Sequence, residues 1–166
     1  MKWPLFDVYS SFFQATASGS YFLEISLEVG TFPNSEFISI LNSPFNISVF
    51  ANAASSSQSY SFGNFLTSAT AGFKKSFFVS LRDSFGNERS EADEGITLSV
   101  AFVGPQFGVQ AYIGRGAFPI NVEYLITIAG SYKCSVFMNG IPILGSPFDV
   151  SVMPSISSSR DSVVRG

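Results

Sequence analysis

Histidine does not occur in the 166-residue sequence, and cysteine occurs once, as Cys134. Without histidine there is no usual general base, no Ser-His-Asp type of triad and no ordinary zinc site. With one cysteine there is no intrachain disulfide, which leans toward a reducing compartment without deciding it. A reactive thiol needs a base or a cation beside it on an exposed face. Only Lys133 adjoins Cys134, and neighbours along a strand point to opposite faces, so Cys134 reads as an inert core thiol. No glycine-rich phosphate loop is present. The oxygen-bearing residues Asp83, Asn87, Glu88, Glu91, Asp93 and Glu94 gather around one loop. A calcium loop needs such oxygens at fixed spacing, and that spacing is missing, so the cluster reads as solvated. Asn46-Ile47-Ser48 fits an N-glycosylation triplet, with Asn46 expected outward because Phe45 and Ile47 point in. No catalytic residue, metal ligand or cofactor is assigned, and the chain is expected not to be an enzyme.

Partners are bounded by composition. The net charge is -3 and no basic run exists, which argues against nucleic acid and against charge-driven binding to an anionic membrane. No stretch of about 18 apolar residues is present, so direct membrane insertion is not expected. Pro4 and Asp7 interrupt residues 1–7, which do not read as a signal peptide. Lys74, Lys75 and Arg82 are too scattered to form a basic patch. Hydrophobic residues make up 46% and charged residues 13%, enough for a real core. Phenylalanine is abundant, at 19 residues, and with Val, Ile and Tyr it favours strands over helices.

Strands must therefore position whatever the chain presents. Residues 11–17 are a Phe/Thr run that reads as a strand. Tyr21, Leu23, Ile25 and Leu27 alternate with polar or outward residues in the period-two pattern of one half-buried strand, as do Phe45, Ile47 and Val49. Residues 51–66 are small and polar without periodicity, and read as a linker. From residue 67 to 153 seven strands follow at regular spacing, separated by turn chemistry: Arg82-Asp83-Ser84-Phe85-Gly86-Asn87, Gly104-Pro105, Gly114-Arg115-Gly116 and Asn139-Gly140. This predicts an all-β, immunoglobulin-like antiparallel sandwich. Residues 154–166 read as a Ser-rich tail or linker. One unit occurs twice. Gly19-Ser20-Tyr21 leads to Ser43-Pro44-Phe45-Asn46-Ile47-Ser48-Val49, and Gly130-Ser131-Tyr132 leads to Ser146-Pro147-Phe148-Asp149-Val150-Ser151-Val152. Such repetition points to tandem repeats, built for reach and contact more often than for catalysis. In the sandwich, Tyr132 two residues before Cys134 has the spacing of a tyrosine corner. Tyr132, Cys134, Phe77, Val79 and Phe148 are the expected core.

The second unit resembles the filamin repeat. The resemblance rests on Ala71-Gly72, Phe77-Phe78-Val79, the 82–87 turn, Gly104-Pro105, Gly130-Ser131-Tyr132 and the segment 145–152, in that order. It implies strands A to G, and a groove between strands C and D that accepts a partner peptide as an added strand. By that resemblance the groove would use Thr97, Ser99, Ala101 or their neighbours on strand C, and Val109, Ala111 and Ile113 on strand D. Residues 1–50 then resemble only the C-terminal half of a preceding repeat, either cut from a longer array or completed by a partner chain. The implied partners are other proteins, including neighbouring repeats or identical chains. No actin-binding domain lies in these residues, so actin is not a supported partner. Three settings fit: an extracellular or cell-surface adhesive array, a cytoplasmic cytoskeletal scaffold, and a filament or ciliary subunit completed by strand exchange.

Overall fold

The computed structural model describes residues 9–31, 33–91 and 95–155. Residues 1–8, Asp93 and Glu94, and the tail from residue 156 lie outside the described residues. The chain divides after Phe50 into two compact units.

The first unit holds β1 (Gly19–Leu23), β2 (Ser26–Val29), β3 (Glu36–Ser39) and β4 (Phe45–Val49). β1 pairs antiparallel with β4, from Gly19 opposite Val49 to Leu23 opposite Phe45. β2 and β3 form a separate hairpin, from Ser26 opposite Ser39 to Val29 opposite Glu36. The single strand expected across 21–28 is thus broken. Ile25 donates its N–H to Ser43 Oγ at 2.9 Å and accepts from Ile40 N at 3.0 Å, and there the chain changes partner. The strand expected at residues 11–17 does not form, and Phe12 and Phe13 are 94% and 65% exposed.

The second unit is a two-sheet sandwich. Its elements are β5 (Tyr60–Phe62), a 3-10 turn (Asn64–Leu66), β6 (Ser68–Thr70), β7 (Lys74–Ser80), β8 (Leu98–Val103), β9 (Ala111–Ile113), β10 (Ile120–Leu125), β11 (Gly130–Met138), β12 (Ile141–Pro142) and β13 (Phe148–Met153). One sheet has the order β5-β7-β10-β9. In the other, β11 is central: Cys134 pairs with Phe102 of β8 on one edge and with Phe148 of β13 on the opposite edge. β6 then adds to β13 in parallel. In filamin-repeat lettering β5 is A, β7 B, β8 C, β9 D, β10 E, β11 F and β13 G. Asn139 and Gly140 both have positive φ, 51° and 78°, which suits the tight turn between β11 and β12.

The linker reading of residues 51–66 is corrected. Ala54 bridges to Asp83, Ser55 N donates to Arg82 O at 2.7 Å, and β5 pairs with β7 from Tyr60 opposite Ser80 to Phe62 opposite Phe78. Arg89 Nη1 donates to the carbonyls of Ala51 and Asn52, and Leu66 is buried in the core. Strand A hides in a polar stretch because it is three residues long and the hydroxyl of Ser59, just before it, bonds the backbone of Ser55 and Arg82.

Phe77, Val79, Leu81, Val122, Tyr124, Tyr132, Cys134, Val136, Val150 and Val152 are buried between the sheets, with Phe148 half-buried against them. Each fully buried side chain of this size contributes roughly 1.5–3 kcal/mol. These residues alternate along their strands with exposed ones, as a two-layer architecture requires.

Candidate functional site

Three constellations stand out: a tyrosine latch, a buried carboxylate, and an open sheet edge.

Tyr132 is 2% exposed. Its hydroxyl donates to Ile128 O at 2.7 Å and accepts from Gln106 N at 3.1 Å. Gln106 in turn accepts from Thr127 N at 2.7 Å through Oε1. The latch ties the connection after β8 to the start of β11. Beside it, burial pushes the Cys134 thiol up to about 12, so Cys134 stays protonated at neutral pH and is not poised as a nucleophile. Lys133 points away and pairs with Asp149 at 2.6 Å on the exposed face.

Asp83 departs from the sequence reading. It is not part of a solvated loop but 1% exposed. Its carboxylate accepts from Asn52 N, Phe85 N and Asn87 N at 2.9 Å each, and from Asn87 Nδ2 at 2.8 Å. Burial pushes the carboxyl up, but the donors from Asn87, Asn52 and Phe85 outweigh it and hold the group at about 2. The spacing that signals this hub is Asp83, Gly86 and Asn87: Gly86 turns at φ 85° and delivers the Asn87 donors back to the carboxylate. A carboxylate whose pKa is depressed on folding stabilises the fold above its unfolded value and stops doing so as pH falls through the folded value. Stability should therefore decline from about pH 4 toward about 2. Asp83→Asn should flatten that decline and lower the urea midpoint at pH 7. Urea unfolding at several pH values measures both effects, and an unchanged acid limb would refute the assignment. Among the described residues no cluster of ligands could hold a metal ion.

The third constellation is the edge shared by β8 and β9. β8 pairs with β11 on one side, and β9 pairs with β10 on one side; among the described residues neither has a strand on its other side. Thr97 exchanges backbone bonds with the turn, donating to Asn139 Oδ1 and accepting from Asn139 N, both at 2.8 Å. Thr97 therefore faces the β11 side. Backbone direction alternates along an antiparallel strand, so Leu98, Val100 and Phe102 turn their N–H and C=O groups toward the open edge. Their side chains are half-buried and point inward. An open cleft of about 450 Å³ lies beside this edge, floored by Leu81 and Ile120 and flanked by Ile96, Thr97 and Leu98 on one side and by Ile113, Arg115 and Phe118 on the other. Of the residues expected in the groove, the structure brings Thr97 and Ile113 to one cleft. Ser99 and Ala101 lie on the exposed outer face of β8, Ala111 is half-buried on β9, and Val109 is 9% exposed within the core. Ile96 and Leu98 are the strand C neighbours of Thr97, and Arg115 and Phe118 are additional to the residues expected there. The missing signal was which set of alternating side chains faces inward.

A family model described as the Filamin/ABP280 repeat matches residues 53–149. This chain belongs to the filamin repeat family. No curated protein matches its sequence. Among solved structures, the Lin-41 filamin domain is similar with TM-score 0.53 at 22% identity, over 61% of this chain and 97% of that one. FdeC, an Escherichia coli adhesin, is similar with TM-score 0.51 at 18% identity, over 83% of this chain and 42% of that one. The Yersinia pseudotuberculosis adhesin InvE gives TM-score 0.43 at 18% identity, over 61% of this chain and 28% of that one. The first two likenesses show the immunoglobulin-like sandwich fold. The matched span begins at residue 53, in line with strand A at β5.

The first unit copies the F–G half of this filamin repeat in register. Gly19 lies opposite Val49 and Tyr21 opposite Ile47, as Gly130 lies opposite Val152 and Tyr132 opposite Val150. Tyr21 donates to Ala17 O at 2.7 Å, as Tyr132 donates to Ile128 O at the same distance. Ser43 Oγ accepts from Ile25 N at 2.9 Å, as Ser146 Oγ accepts from Val136 N. Gly19 and Gly130 have φ of 151° and 146°. The added length between β1 and β4 is the β2–β3 hairpin. Asn46 lies exposed on β4 opposite Phe22.

Proposed function

We propose that this chain is a non-enzymatic filamin-type segment that serves as a spacer and as a protein-interaction module, binding an extended partner segment as an added strand on β8. The observation that carries the reading is the β8 edge, which has no partner strand among the described residues. It offers the backbone groups of Leu98, Val100 and Phe102 beside a cleft that can take an apolar side chain. In strand addition the backbone bonds supply affinity and alternate side chains supply selectivity. Arg115 on the cleft rim favours an acidic residue in the partner. Extended peptides selected on the chain should shift the amide resonances of Leu98, Val100, Phe102 and Ile113. Leu98→Lys should weaken them at least about tenfold by placing a charge against the apolar cleft, while Tyr112→Lys on the exposed face of β9 leaves them bound. Selected peptides that shift only residues outside β8 and β9 would sink the reading.

The setting we favour is an extracellular or cell-surface array, with the cytoplasmic scaffold and the filament subunit as the alternatives. Its support is Asn46, an exposed asparagine in an acceptor triplet. The natively isolated protein should lose mass on glycosidase treatment, and the loss should disappear in Asn46→Gln. An unmodified Asn46 would favour the cytoplasmic alternative.

A further inference from the structure

We infer that residues 9–49 are strands E, F and G of a second sandwich, completed by an A–D segment of the same repeat type joined on the N-terminal side of residue 9. This does not depend on the groove reading and fails separately from it.

The second unit shows what the copied half is built to meet. There Tyr132 and Val136 are covered by the β7 and β10 sheet and are 2% and 0% exposed. Their counterparts Tyr21 and Ile25 are each 39% exposed. The same register, extended back along the chain, lays residues 9–14 on Ile120–Leu125, so that Tyr9 and Phe13 occupy the places of Ile120 and Tyr124. The equal hydrogen bonds to Ala17 and Ile128 fix this alignment. In the second unit that strand runs between β7 and β9. Residues 9–14 have neither neighbour among the described residues, which explains why no strand forms there despite the Phe-rich sequence.

The complement is thereby specified. It must place one strand on each side of residues 9–14, as B and D do, and a third along β1, as β8 does along β11. Gly19 leaves a seat for a turn of the Gly104-Pro105 kind: a Cβ on Gly130 would stand 2.7 Å from Pro105 Cγ, whereas a Cβ on Gly19 would meet only the Tyr21 ring, at 3.8 Å. Tyr21 Oη already donates to Ala17 and can accept a backbone N–H, as Tyr132 accepts that of Gln106. The chain's own A–D strands are engaged in the second unit. Because strand E must lie between B and D, a preformed sheet cannot dock onto this face. The complement has to fold around residues 9–14, and a continuous polypeptide does so at the least entropic cost.

The test joins a copy of residues 51–119 to the N-terminal side of residue 9 in the full chain, so that Pro119 precedes Tyr9 as it precedes Ile120. Amide exchange of Tyr21, Leu23 and Ile47 should slow at least about 100-fold relative to the unextended chain. Alkylation of an Ile25→Cys thiol should slow comparably, with buried Cys134 giving no background. An extension that leaves both rates unchanged would overturn the inference. The unextended full chain is a second measurement that does not rely on the fusion folding. In it, residues 19–49 should exchange far faster than 130–153. Equal protection at every concentration would show a self-sufficient half, and protection that rises with concentration would assign the face to a second copy; either overturns the inference.

Discussion

Gly104→Ala should lower the stability of the 51–153 sandwich by about 3 kcal/mol, combining overpacking with the strain put on the Tyr132 hydrogen bonds. A Cβ at this position would stand 2.3 Å from Tyr132 Cδ1 and 2.7 Å from Cε1 and Cγ. The ring cannot retreat. It is clamped at its far end by Ile128 O and Gln106 N, and it lies in the core. Relief must come from breaking the latch or parting β8 from β11. Gly104 does not adopt positive φ, so the penalty is steric and carries no backbone term. Gly108→Ala is the contrast: its Cβ would meet nothing within 4 Å, but φ is 67°, so it should cost only about 1 kcal/mol. Total stability for such a domain is about 5–15 kcal/mol, and the first change should drop Tm by on the order of 10–20 °C. Thermal unfolding of the two variants beside the parent decides it. Equal losses would mean that ring contact at Gly104 is not what holds the corner.

The contrast between those glycines bears on how much was legible in the sequence. The sandwich was legible because alternation and turn chemistry agree along 76–81, 96–103 and 130–152, and because Gly-Ser-Tyr and Ser-Pro-Phe recur in the same order. Strand A was not, since three residues are too few to show a period and Ser59 and Ser61 are buried where composition predicts exposure. Residues 11–17 misled in the opposite sense: their composition is that of a strand, but a strand needs a partner to pair with, and none flanks them among the described residues. Asp83 was read as solvated because charge normally marks surface, while four converging donors are a property of folded geometry. The cleft beside β8 and β9 takes in Thr97 and Ile113 of the residues expected there, while Ser99 and Ala101 lie on the outer face of β8. The bonds of Thr97 to Asn139, which set the direction of the β8 backbone, are a property of the fold that no sequence pattern shows.

One substitution made in each copy of the repeated half separates core from bare face most sharply. Val150→Asp and Ile47→Asp alter equivalent positions, opposite Tyr132 and Tyr21 respectively. Val150 is 2% exposed, and a carboxylate there has no partner among its apolar neighbours. Burying it, or protonating it to avoid the charge, should cost at least about 4 kcal/mol, enough to leave a large fraction of the sandwich unfolded at 37 °C. Ile47 is only half-buried on a two-stranded sheet. There the aspartate can reach water, and the chain should lose less than about 1 kcal/mol, with the melting of 51–153 unchanged. Circular dichroism melts of the two variants measure the difference. The asymmetry should vanish when an A–D segment is joined ahead of residue 9, because Ile47 would then face a covering sheet as Val150 does. A severe loss from Ile47→Asp in the unextended chain would mean that the first unit already buries this face. The repeated Gly-Ser-Tyr register would then mark common descent alone, without a shared requirement for a covering sheet.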